Sequence, residues 1–94
     1  MLDLQSKITV PPDVLFRDLN GEAVILNLAD GKYYGLDEVG TRMWELLSES
    51  GRLDQTYQTL LQEYDVSPEQ LQKDLLHLVN ELVSRGLLDV LRET

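Results

Sequence analysis

The sequence predicts an α+β domain with an N-terminal three-stranded antiparallel sheet followed by three helices. Two dipeptides that tolerate positive φ, Asn20-Gly21 and Asp30-Gly31, separate short runs rich in β-forming residues. From Asp37 onward the apolar residues recur at helical spacing instead. Short strands of this kind are not stable alone in water, so the helices must cover one of their faces.

Asp13 to Leu19 reads as the first strand, Glu22 to Ala29 as the second and Lys32 to Leu36 as the third. If both turns are two-residue loops, Leu19 lies opposite Glu22 and Phe16 opposite Ile25, while Ala29 lies opposite Lys32 and Leu28 opposite Tyr33. One face then carries Leu15, Leu19, Val24, Leu26, Leu28 and Tyr33, and the other Val14, Phe16, Ile25, Tyr34 and Leu36. Both faces are apolar, whereas a small meander usually leaves one face polar. Either the N-terminal segment or the last helix covers the second face, or a partner does.

Asp37 is placed to cap a helix over Glu38 to Glu49, with Val39, Met43, Trp44, Leu46 and Leu47 on one side, and Ser50-Gly51 ends it. A second helix is expected from about Asp54 to Tyr64, with Tyr57, Leu60, Leu61 and Tyr64 in a stripe. Ser67-Pro68-Glu69-Gln70 has the form of a capping box with proline at the first helical position. The third helix runs to Arg85 and Gly86 closes it. Its two stripes, Leu71, Leu75, Leu78, Leu82 and Leu76, Val79, Val83, span an arc of roughly 160°, wider than the roughly 100° that a surface helix needs. Part of that arc must face the sheet, a second copy or a ligand. At the ends, Met1 to Lys7 is expected to be frayed or loosely docked, and Ile8 and Val10 fit a short extended segment. Leu87 to Leu91 fits an added strand or a tail packed on the core. The order of elements resembles a winged helix-turn-helix with its sheet at the N-terminus.

The net charge is -9, from 17 acidic and 8 basic residues. That balance argues against nucleic acid and against anionic membrane surfaces, both of which need a basic face. The presumed recognition helix carries Glu69, Asp74 and Glu81 against Lys73 and Arg85, so a transcription-regulator reading finds no basic stripe. There is no cysteine, hence no disulfide and no thiolate zinc site. No signal peptide or spanning segment is expected, and the reading is of a cytoplasmic protein. His77 is the only histidine and lies on the polar side of its helix. Acidic pairs such as Asp37-Glu38 and Glu63-Asp65 are explained by capping and surface charge, and no nucleophile elbow or phosphate loop is present. Gly35 in the third strand marks a bulge, a close backbone approach or a packing gap against Trp44. Tyr33 and Tyr34 on an edge strand suit the capture of an extended peptide as a further strand, with the third helix as the opposite wall.

The strand VILNL, the run DGKYYGLDEVGTRMWELL, the connection EYDVSPEQL and the helix KDLLHLVNELVSRGLL, in that order, resemble the coenzyme PQQ synthesis protein D (PqqD) family. The resemblance implies a domain over 13–91, behind an extension over 1–12, that recognises ribosomally made, modified precursor peptides. It implies no catalysis and no cofactor. The leader would add as an antiparallel strand to Lys32, Tyr33, Tyr34, Gly35 and Leu36, with Leu71, Asp74, Leu75 and Leu78 lining the helix side and Leu76, Val79 and Val83 in the core. The domain, a monomer or weak dimer, would then present the precursor to a separate enzyme. The Asp30-Gly31-Lys32-Tyr33-Tyr34 run departs from the quinone-cofactor branch, which usually has a Pro-Glu type sequence there. It looks more like the stand-alone leader-binding proteins of lasso-peptide clusters, which work with a cysteine-protease leader peptidase and a cyclase. The alternative is the quinone-cofactor role, with a radical SAM enzyme as partner.

Overall fold

The computed structural model describes residues 2–91. Its strands are β1 (Lys7–Thr9), β2 (Val14–Leu19), β3 (Glu22–Asn27), β4 (Tyr33–Gly35) and β5 (Asp89–Leu91), and its helices are α1 (Glu38–Ser50), α2 (Leu53–Glu63) and α3 (Pro68–Ser84). β2, β3 and β4 form the antiparallel meander, in that order, and the three helices follow it.

The first hairpin has the expected geometry. Asn20 and Gly21 both take positive φ, 59° and 87°, as a two-residue turn matched to strand twist requires. Leu19 pairs with Glu22 and Phe16 with Ile25. The second hairpin differs from expectation: Leu26, not Leu28, lies opposite Tyr33, and Ile25 lies opposite Tyr34. The cause is Asn27. Its side-chain Oδ1 accepts from the Ala29 N–H at 2.9 Å, its carbonyl accepts from the Gly31 N–H at 2.8 Å, and its own N–H donates to the Lys32 carbonyl at 2.9 Å. The connection is therefore the four-residue loop Leu28–Gly31, anchored again by Asp30 Oδ1 accepting from the Lys32 N–H at 2.9 Å. A displacement of two residues keeps every side chain on its face, because the strand period is two.

One face of the meander packs on the helices. Ala23, Ile25 and Leu36 are buried there, and Phe16 stacks on Trp44 with ring centroids 6.1 Å apart. Thr41 of α1 accepts the Ala23 N–H at 2.9 Å, so the sheet is also hydrogen-bonded to the helix. The other face stays in solvent: Leu15, Leu19, Leu28 and Tyr33 are 49%, 60%, 56% and 73% exposed, so neither the N-terminal segment nor α3 covers it.

The two chain ends close together. β1 pairs with β5, with Ile8 opposite Val90, and Ile8 is a core residue at 2% exposure. Ile8 thus lies in an extended segment as expected, and of the stretch expected to be frayed or loosely docked Lys7 is already paired in β1; Met1 lies outside the described residues. Leu87 and Leu88 are buried while Asp89–Leu91 form β5, so the tail both packs and pairs. Gly51 ends α1 at φ 68°, and a Cβ there would stand 2.9 Å from the Ile8 carbonyl. Glycine is needed both for the left-handed cap and for the close approach of β1.

Asp37 caps α1 by accepting the Gly40 N–H at 2.7 Å. Ser67 caps α3 by accepting the Gln70 N–H at 3.1 Å, but the Gln70 side chain donates to Asp74 Oδ1 at 2.8 Å rather than completing the box. The buried face of α3 is Leu71, Leu75, Val79 and Leu82. These residues sit centrally in the wide apolar arc, so each of the two stripes contributes to the core.

Candidate functional site

β4 has β3 as its only strand neighbour among the described residues. On that side the Lys32 carbonyl accepts from Asn27 and the Leu36 N–H donates to the Ala23 carbonyl at 2.8 Å. Antiparallel ladders alternate. Lys32, Tyr34 and Leu36 therefore face β3, and the N–H and C=O groups of Tyr33 and Gly35 point to the free edge.

Along α3 the chain that runs from β4 into α1 leaves two recesses, which together form a cleft. In one recess, Asp30, Lys32 and Tyr33 face Ser84, Arg85 and Leu87. In the other, Asp37, Val39, Gly40 and Met43 face Asp74, His77 and Leu78. α3 thus runs antiparallel to β4. The Arg85 guanidinium, which lines the first recess, lies over the Tyr34 ring, 4.9 Å from its centroid.

The structure separates the residues singled out in the sequence. Tyr33 is exposed and is not a core residue, whereas Tyr34 is half-buried against the core. Leu36 is buried, so its side chain belongs to the core. Gly35 shows neither positive φ nor a gap against Trp44; a Cβ built on it would meet open space. On α3, Asp74 and Leu78 border the cleft, but Leu71 and Leu75 are 4% and 0% exposed and lie in the core beneath it. Of the expected core set, Val79 is buried, while Leu76 and Val83 are only partly so.

Sequence reading missed Val39, Met43, His77 and Arg85 as lining residues. A signal existed for Arg85, because Asp74, Leu78, Glu81 and Arg85 fall on one line of α3 at successive three- and four-residue steps. His77, one helical step from Asp74, borders the same recess rather than plain solvent. No sequence signal marks Val39 and Met43, because it is the packing of α1 beside α3 that brings them to the cleft.

The cleft's chemistry is that of recognition. Its groups are backbone donors and acceptors, half-exposed apolar side chains and a few charges. Among the described residues, the carboxyl groups held below the usual carboxylate range, Glu63 by the hydrogen bond and charge of Arg42 and Asp54 by the hydrogen bond of Arg52, line neither recess. Among the described residues no group of three or more His, Cys, Asp or Glu side chains is arranged to hold a metal ion. Among the described residues no helix is long and apolar enough to cross a membrane.

The family pattern of coenzyme PQQ synthesis protein D (PqqD) matches residues 22–88, a span that includes both walls of the cleft. The chain belongs to the PqqD family. No curated protein matches it. Among solved structures, TbiB1 in complex with the TbiA(beta) leader peptide superposes with a TM-score of 0.83 at 30% identity, over 90% of this chain and 99% of that one. A lasso peptide synthetase B1 complexed with its leader peptide superposes with a TM-score of 0.78 over 92% of this chain and 99% of that one. At 21% identity the second shares the fold.

Proposed function

We propose that this PqqD-family chain is a non-catalytic adaptor that binds the leader of a ribosomally synthesised, post-translationally modified precursor peptide, of the lasso class. The leader adds as an antiparallel strand to the free edge of Lys32–Leu36. The Tyr33 and Gly35 backbone groups pair with it, and Asp74 and Leu78 form the opposite wall above the buried Leu71 and Leu75. The recognition domain spans 13–91, and the extension 1–12 supplies the strand that closes on β5. The bound precursor is then handed to a separate enzyme, a cysteine-protease leader peptidase in the first instance. The reading places the adaptor in the cytoplasm, where precursors are made.

The observation that carries this reading is the edge of β4 that has no strand partner among the described residues, with recesses lined by α3 beside it. An extended peptide gains main-chain hydrogen bonds at such an edge and side-chain contacts from the wall. The likeness to TbiB1, solved with a leader peptide, supports it. Isothermal titration with the synthetic leader of a precursor encoded beside this gene tests it. Micromolar or tighter binding, roughly 8 kcal/mol or more, is expected. No heat with any such leader would count against the adaptor role.

A further inference from the structure

The cleft is not electrically uniform along its length. Asp37 and Asp74 border one recess, with no lysine or arginine among its lining residues. Lys32 and Arg85 border the other. The protein has 8 basic residues against 17 acidic ones, so two cations in one small recess are a local departure from its overall charge.

The neighbouring charges do not cancel this difference. Asp30 lines the basic end beside Lys32, accepting its N–H through Oδ1 at 2.9 Å, and so offsets one of the two cations there, whereas no cation lines the end that holds Asp37 and Asp74. Glu81 pairs with Arg85 at 3.4 Å, which leaves Lys32, an exposed residue, as the freer cation. At the acidic end, Asp37 engages its Oδ1 with Gly40 and Asp74 its Oδ1 with Gln70, so a second carboxylate oxygen on each is left for a guest. Lys73 is about 100° round the helix from Asp74 and is not among the lining residues.

A strand added antiparallel to β4 runs parallel to α3, entering beside Asp37 and Asp74 and leaving beside Arg85 and Lys32. We infer that the cleft selects peptides by charge order: a lysine or arginine early in the paired segment and an aspartate or glutamate late in it. Complementary ends would also fix direction and register, which backbone pairing alone leaves loosely set. The inference rests on the strand-addition reading and adds the class of peptide that the site prefers.

Selection of random peptides about 15 residues long, displayed on their encoding RNA, against the full chain provides the test. Enriched peptides should carry a basic residue N-terminal to an acidic one. For one such peptide, Lys32→Glu should weaken binding about two- to fivefold, the scale of an exposed ion pair. Changing the peptide's acidic residue to lysine should restore it. Raising the salt concentration should shrink both effects. Enriched peptides that slow hydrogen exchange at the Tyr33 and Gly35 amides but show no charge order, or the reverse order, overturn the charge-order inference and leave strand addition standing. If no peptide is enriched, or none protects those amides, strand addition fails as well.

Discussion

At Gly35 the backbone N–H points away from β3, so a proline there would leave the β3–β4 ladder intact and remove one donor from the free edge. Edge strands accept proline on that condition. Gly35→Pro is expected to leave the thermal midpoint nearly unchanged and to weaken leader binding at least tenfold by titration. Gly35→Ala is the control. Its Cβ meets open space, so binding should persist, and relief of the glycine entropy cost should stabilise the fold by about 0.5 kcal/mol. Equal binding by the proline variant would show that the guest does not pair at this edge. On the facing helix, Leu75 is fully buried whereas Leu78 borders the cleft. Leu75→Ala should cost about 2–5 kcal/mol of stability in urea, as for other large-to-small core changes. Leu78→Ala should lose far less stability and more affinity, which makes it the informative wall substitution.

The second hairpin shows at the scale of an element where sequence reading stops. Asn20-Gly21 dictated its turn because only residues that accept positive φ can form it, and the β2–β3 register followed. Asp30-Gly31 carried the same local signal, yet Asn27 captured the backbone of the loop and moved the pairing by two residues. An asparagine at a strand end does not announce which backbone groups it will hold, and Asn27 also reaches the Gly86 carbonyl, 59 positions away, at 3.3 Å. Caps are local and were legible in Asp37, Ser67 and Gly51. The β1–β5 pair was not, because Ile8 and Val90 meet only after the helices bring both ends to one place. The edge strand of the site was legible from the tyrosines and the turn; the α1 contribution was not. Asn27 is 8% exposed and satisfies partners on two elements. Asn27→Ala should therefore cost about 1–3 kcal/mol in chemical denaturation by leaving those groups unpaired. It should also broaden the amide signals of the Leu28–Gly31 loop, since the loop loses the side chain that sets its length.

Across the whole molecule the charge is strongly acidic, and the pairs that tie helices together set how the fold responds to pH. Arg42 of α1 holds Glu63 of α2 through two hydrogen bonds, Nε to Oε1 at 2.8 Å and Nη2 to Oε2 at 2.6 Å. The guanidinium lowers the Glu63 pKa below its ordinary value of 4.5, and the carboxylate in turn raises that of Arg42. A carboxyl whose folded pKa is depressed stabilises the fold fully above its unfolded value and loses that contribution as pH falls through the folded one. The Arg42–Glu63 tie is thus intact at neutral pH, its contribution begins to fall as pH drops below the ordinary value of 4.5, and it is lost as pH passes through the lower folded value. Both side chains are about one-third exposed, so the effect is small and sensitive to salt. Thermal melts of the protein and of Glu63→Gln should therefore differ by a constant small amount from pH 7 down to about 5, and converge below it. The same convergence should appear at neutral pH in high salt, because screening acts on the same ion pair that protonation removes. Leader binding offers an internal comparison, since Glu63 lines neither recess: the substitution should shift the melt while leaving the affinity for the leader unchanged, and a change in affinity would mean that the α1–α2 tie also sets the width of the cleft.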